Sequence, residues 1–204
     1  DPFEAPKELQ DAWEQRDIAL PPNFEAEEDG HRNQLILNRQ RYNAMVENLD
    51  TNVGRLRSFL TEHELGDDTI LVFLSDHGEL GGAHGLRAKQ WPYEESVGIP
   101  LIVYDPREPD RAGARLSQPT CTEDLFPTFL GLAGLTLQND LPGADLTPLI
   151  HGESDQLDRE GVLLEFVAEL RERPPFYDAV WRGFRGERFK YTVKGDKFGA
   201  VPWQ

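Results

Sequence analysis

The chain of 204 residues carries 37 acidic against 21 basic side chains, a formal charge of −16, which argues against nucleic acid as a partner because phosphate binding needs a basic footprint. No apolar run approaches the ~20 residues of a membrane span. The single cysteine, Cys121, excludes an internal disulfide and a cysteine-cluster metal site, and the length suffices for one α/β domain or one domain with a small appendage.

Residues 1–32 are polar and interrupted by Pro2, Pro6, Pro21 and Pro22, so they predict a covering loop with one short helical piece around Pro6–Arg16. Glu25, Glu27, Glu28 and Asp29 form a small acidic run expected to be a solvated loop. From Asn33 to Glu64 the positions Tyr42, Met45, Val46, Leu49, Val53, Leu56 and Leu60 recur at three- and four-residue spacing, the stripe of a helix that packs on a sheet. Gly66 is the expected left-handed stop.

Thr69 to Leu74 is an unbroken apolar and β-branched run, expected to be a strand buried on both faces, as in a parallel sheet covered by helices. It ends at Ser75-Asp76-His77-Gly78, and in open α/β sheets function sits at the carboxyl ends of strands. Asp76 offers a hard oxygen and His77 a nitrogen, a donor pair suited to a metal. Gly78, Gly81, Gly82 and Gly85 allow tight turning around such a site. A second strand follows at Ile99–Tyr104.

Asp105–Gln118 has the charge and proline content of a surface loop. Thr122 is the expected N-cap of a helix that runs through Leu132 and stops at Gly134. Cys121, just ahead of it, is read as a buried small residue. Leu135–Asp158 returns to loop with a helical piece at Pro148–Ile150, and Val162–Val167 reads as a strand. Ala179–Arg185 and Arg188–Val193 alternate around Gly186-Glu187, a hairpin pattern. Arg182, Arg185 and Arg188 on this hairpin are read as a solvated face.

The residues Ser75-Asp76-His77-Gly78-Glu79, then Leu80-Gly81 and His84-Gly85-Leu86, then Lys89, Pro92-Tyr93-Glu94-Glu95-Ser96 and Ile99-Pro100-Leu101-Ile102-Val103 resemble the type I sulfatases of the alkaline phosphatase superfamily. Tyr42–Leu60, Thr122–Thr128 with Leu132-Ala133-Gly134, and Asp1–Pro6 resemble further segments of that family. The resemblance implies an α/β fold: part of an alkaline-phosphatase-like sheet with flanking helices over residues 1–175, then the start of a small antiparallel subdomain over 176–204.

By the same resemblance, Asp76 and His77 are metal ligands, for calcium or alternatively manganese. His77 and Lys89 are catalytic, and Lys89 and His84 bind substrate. The formylglycine nucleophile and the remaining ligands would lie on an upstream part, since Cys121 is not in a C-x-P-S-R setting. The chain is thus expected to be the C-terminal portion of a sulfatase cleaving sulfate esters of small molecules or saccharides, truncated at both ends and inactive alone. Two alternatives stand beside this: a phosphonate monoester or phosphodiester hydrolase of the same superfamily, and a non-catalytic binding or structural module. A periplasmic or secreted location is preferred to a cytoplasmic one. Oligomeric state is left open.

Overall fold

The computed structural model describes residues 3–24, 29–136, 141–167, 180–195 and 200–202. Of the positions singled out above, Asp1, Pro2, Glu25, Glu27, Glu28 and Ala179 lie outside them, as does the junction at 175–176. The chain is α/β and divides into two compact units, residues 1–106 and 107–204.

In the first unit, helix α1 (Lys7–Trp13) lies against the long helix α2 (Asp29–Glu62). The seam is polar and specific. Trp13 Nε1 donates to Glu47 at 2.7 Å, and the buried Gln40 amide donates to the carbonyls of Glu14 and Arg16 at 3.1 and 2.7 Å. These bonds satisfy carbonyls left open where α1 ends, which fastens the proline-rich segment as a cover. Leu35 and Ala44 of α2 are buried, as are Leu80 and Ala83 farther along the chain.

Two details differ from the sequence pattern. The residue in left-handed conformation after α2 is Glu64 (φ 57°), with Leu65 N–H donating back to the Leu60 carbonyl at 2.8 Å. Gly66 instead opens a 3-10 turn, Gly66–Asp68, because the Schellman bond had already closed the helix at Glu64, two residues earlier. The apolar stripe is also not covered as expected: Tyr42, Val46, Leu49, Val53 and Leu56 are 36–49% exposed. Periodicity places such residues on one face but does not supply the body that covers it.

Strand β1 (Leu71–Leu74) pairs with β2 (Leu101–Tyr104) in antiparallel register, Leu71 opposite Tyr104 and Leu74 opposite Leu101. The expectation that this first strand is buried on both faces, as in a parallel sheet, is therefore corrected: its partner among the described residues is antiparallel and its residues are half-buried. A parallel return needs a crossover, usually a helix long enough to span the sheet. Here the connection is a folded loop whose α-helix α3 (Glu94–Val97) has only four residues, so the chain re-enters the sheet from the end at which it left. All four β1 residues are half-buried, while Ile102 and Tyr104 of β2 are 60% and 44% exposed.

In the second unit, a 3-10 turn at Thr122–Asp124 leads into α4 (Leu125–Leu132), followed by α5 (Thr147–His151). The cap is Cys121 with Asp124, not Thr122: Asp124 Oδ2 accepts from Cys121 N–H at 2.9 Å. Asp124 is fully buried, and its two oxygens take the Arg159 guanidinium at 2.7 and 2.5 Å and the Ala144 N–H at 2.8 Å. Burial pushes this carboxyl up, but Arg159 and the two backbone donors outweigh that and hold it below its ordinary value. One buried acid thereby ties the start of α4 to the loops on either side.

Strands β3 (Gly161–Phe166), β4 (Val180–Gly186), β5 (Lys190–Gly195) and β6 (Ala200–Pro202) form an antiparallel sheet in that order. The hairpin is as the alternation predicted, with Arg185 opposite Lys190 and a Gly186 N–H to Phe189 carbonyl turn bond. Val162 and Trp181 carry its buried face. Arg182 pairs with Glu165 across β3 and β4, Arg185 caps the turn carbonyl of Gly186, and Arg188 lies over the Phe189 ring. These three arginines thus have local structural partners.

Candidate functional site

The site is the loop that leaves β1. Ser75 turns the backbone by donating to the His77 carbonyl at 2.8 Å, and Asp76 Oδ1 accepts the His77 N–H at 3.0 Å. Gly78 then passes so close to α3 that its N–H bonds the Ser96 carbonyl at 2.9 Å. A Cβ on Gly78 would sit 2.0 Å from the Glu95 carbonyl oxygen, so no other residue fits without moving the loop.

His77 Nδ1 lies 2.8 Å from the Gly78 carbonyl, a contact only a protonated Nδ1 can use. The other ring nitrogen, Nε2, faces Lys89 Nζ at 2.5 Å and Asp76 Oδ2 at 3.4 Å. Three of the residues chosen from sequence thus converge on one spot. The Asp76 carboxylate is exposed. Its slight desolvation pushes it up, but the adjoining His77, the Asp76 and His77 backbone N–H groups and Lys89 together leave it below its ordinary value.

His84 has other partners than these three residues. Its ring stacks on Tyr93 with centroids 3.8 Å apart at 14°, and its Nε2 is 3.1 Å from Asn23 Nδ2 and 3.5 Å from Glu95 Oε2. Glu95 also opens α3, next to Glu94. The sequence reading missed Asn23 and Tyr93 as partners of His84; no local pattern at those positions signals them.

It also missed Glu79, whose Oε1 accepts the N–H groups of Gly81 and Ala88 at 3.1 and 2.8 Å. With Leu80 N–H bonded to the Ala88 carbonyl, this closes the loop into a ring that delivers Lys89. Ala88 and Gln90, the residues flanking Lys89, both have positive φ (62° and 82°), as does His84 (56°). Three non-glycine residues in that region within seven positions mark a loop held by its surroundings in a costly conformation, a trait concentrated at functional sites.

The donor chemistry fits a divalent cation in part. An exposed carboxylate and an imidazole whose inner nitrogen is held by the backbone are suitable ligands, yet among the described residues no group of three or more His, Cys, Asp or Glu is placed to hold an ion. Lys89 has the compact charge that meets an oxyanion.

Residues 2–135 match the family described as Sulfatase, and residues 82–192 match the one described as N-sulphoglucosamine sulphohydrolase, C-terminal. The chain is 29% identical over 190 residues to the ulvan-active sulfatase of Formosa agariphila, covering 92% of this chain and 36% of that protein. The solved phosphonate monoester hydrolase of Agrobacterium radiobacter superposes with a TM-score of 0.72 at 29% identity, over 83% of this chain and 35% of that one. A structure solved in complex with its substrate D-glucosamine-2-N,6-O-disulfate superposes with a TM-score of 0.66 at 27% identity, over 81% and 33%. The chain therefore spans about a third of the length of these relatives. Its loop cluster, its α/β fold and its matched residues agree: the chain belongs to the sulfatase family.

Proposed function

We propose that this chain is the metal- and lysine-bearing portion of an enzyme that hydrolyses sulfate esters of a saccharide or small molecule. The observation that carries the reading is the convergence of Lys89 Nζ, His77 Nε2 and the Asp76 carboxylate, inside the region matched to the family. In the intact protein Asp76 and His77 would hold a divalent cation, calcium in preference to manganese, which supplies Lewis-acid polarisation of a sulfate oxygen. Because two donors fall short of the six to eight that calcium takes, the other ligands and a formylglycine nucleophile are assigned to an upstream part of the protein. The exposed apolar stripe of α2 from Val46 to Leu56 is consistent with a further body covering it.

The chain's own residues do the following. His77 is fixed by its Nδ1–H bond to Gly78, so Nε2 is presented in one orientation. Lys89 meets the oxygens on which negative charge grows as the ester bond breaks. His84, held flat against Tyr93, lines the mouth where the leaving group departs.

The test is turnover of p-nitrophenyl sulfate and of a phenylphosphonate ester by an intact enzyme containing this segment. Preferential sulfate turnover that is lost in Asp76→Ala supports the reading. Preferential phosphonate turnover would favour the sister activity of the superfamily, and no turnover of either ester would leave a non-catalytic module.

A further inference from the structure

Beside the Lys89 loop lies a cavity of about 450 Å³ that contains none of Asp76, His77 or Lys89. Its volume falls in the ~300–1,000 Å³ range of small-molecule sites. Two guanidiniums, Arg39 and Arg87, line it, against one acid, Glu79. That acid is already engaged, since its Oε1 accepts two backbone N–H groups. On a protein of charge −16 this is a local reversal of sign, and such a reversal selects an anion.

Arg39 reinforces the point. Its Nη1 makes only a long contact of 3.4 Å with the Gly81 carbonyl, and its Nε is buried without a hydrogen-bond partner among the described residues. A buried donor without an acceptor leaves its desolvation penalty uncompensated, and an acceptor brought by a ligand would offset that cost. The remaining walls are of another kind. Phe3 meets Tyr42 edge to face at 5.7 Å and 89°, a surface on which the apolar face of a sugar ring can lie, and the amides of Asn38 and Asn43 suit hydroxyl groups.

We propose that this cavity is a subsite for an anionic sugar residue, one bearing a carboxylate or a second sulfate, adjacent to the residue whose sulfate ester is cleaved. The proposal rests on the hydrolase reading above and narrows its substrate to polyanionic saccharides. The link between the two places is short: Ala88 lines the cavity, its N–H is held by Glu79 through a hydrogen bond of 2.8 Å, and the next residue in the chain is Lys89. The shared chemistry is an oxyanion on a ring, so carboxylate and sulfate are separate arms of the experiment.

An intact enzyme containing this segment is labelled with nitrogen-15, and its arginine Nε–Hε signals are followed by NMR while methyl β-glucuronide, glucosamine 6-sulfate or neutral methyl β-glucoside is added. Saturable shifts of the Arg39 and Arg87 signals with either charged sugar, and none with the glucoside, are expected. A response to only one charged sugar assigns the anion. Arg87→Gln, at an exposed position that does not threaten folding, should weaken the response about three- to tenfold, and Arg39→Gln should abolish it. Lys89→Gln should leave the glucuronide response intact, which separates this site from the sulfate-ester site. An equal response to the neutral sugar, no response to either charged sugar, or loss of the glucuronide response in Lys89→Gln would overturn the proposal. Failure of the sulfate-ester assay, by contrast, strikes the hydrolase reading and leaves the glucuronide measurement as it stands.

Discussion

The Nζ of Lys89 lies 2.5 Å from Nε2 of His77, twelve residues away in sequence, while the other ring nitrogen of that histidine is held by the Gly78 carbonyl. The lysine therefore meets the outer nitrogen of a histidine whose ring orientation the backbone has already fixed. A substrate oxyanion or a cation entering this spot would compete with that contact, so the roles of the two residues can be separated experimentally.

In an intact enzyme containing this segment, Lys89→Ala should leave metal content unchanged and lower kcat/KM by a factor on the order of 10²–10³, the loss typical of one preorganised transition-state contact. Asp76→Ala should lose both metal and activity, because the ion loses an anionic ligand. Metal content by emission spectroscopy, beside kinetics on both variants, checks this. Unchanged kinetics in Lys89→Ala would reduce the lysine to a surface residue.

Gly78→Ala should displace the site loop. The added Cβ would meet the Glu95 carbonyl oxygen at 2.0 Å, a backbone atom that cannot swing away, and overpacking of this kind costs about 1–3 kcal/mol or more. Urea denaturation should show a lower midpoint with an unchanged slope. An unaltered midpoint would mean that the approach to α3 is not a structural constraint.

Asp124→Asn should destabilise the second unit by about 3–5 kcal/mol, the cost of leaving a buried partner charge unpaired, here the Arg159 guanidinium. Because the folded pKa of Asp124 lies below its ordinary value, the folded state binds this proton less readily than the unfolded chain. Its stabilisation is therefore complete above the unfolded value, near pH 4, and is lost as pH falls through the lower folded value. Thermal melts of wild type and Asp124→Asn should converge over that acid range. A constant difference between them would refute the assignment.

Cys121 should be nearly inert. Burial and the Asp124 carboxylate push its thiol up to about 11, so at pH 8 the thiolate fraction is roughly two orders of magnitude below that of an ordinary cysteine. Iodoacetamide labelling followed by mass spectrometry should show a correspondingly slow rate. Labelling as fast as free cysteine would contradict the packed setting at the start of α4.

Where local chemistry decides a feature, the residues announced it. The three- and four-residue spacing of Met45, Leu49, Val53, Leu56 and Leu60 specifies a helix whatever surrounds it, and the alternation around Gly186-Glu187 specifies a hairpin because the turn and its flanks are neighbours in the chain. Asp76, His77 and Lys89 were legible for a related reason: a single loop carries them, so their spacing is nearly their geometry. Features that depend on distant residues were not legible. The Arg159 that pairs with Asp124, the Asn23 beside His84, and the Arg39 that meets the Glu79 loop come from 35, 61 and 42 positions away.

By itself, then, the sequence determined the family, the helices, the hairpin and the identity of the loop residues, because each is encoded in residues close along the chain. Only the tertiary structure decided that β1 and β2 run antiparallel, that the helical stripe from Tyr42 to Leu56 lies open, and that Arg39 and Arg87 line one cavity beside the lysine loop. Strand direction follows from the path of the connecting loop, and burial and convergence follow from what packs against what. These are relations between separated segments, and a one-dimensional pattern of residue types does not contain them.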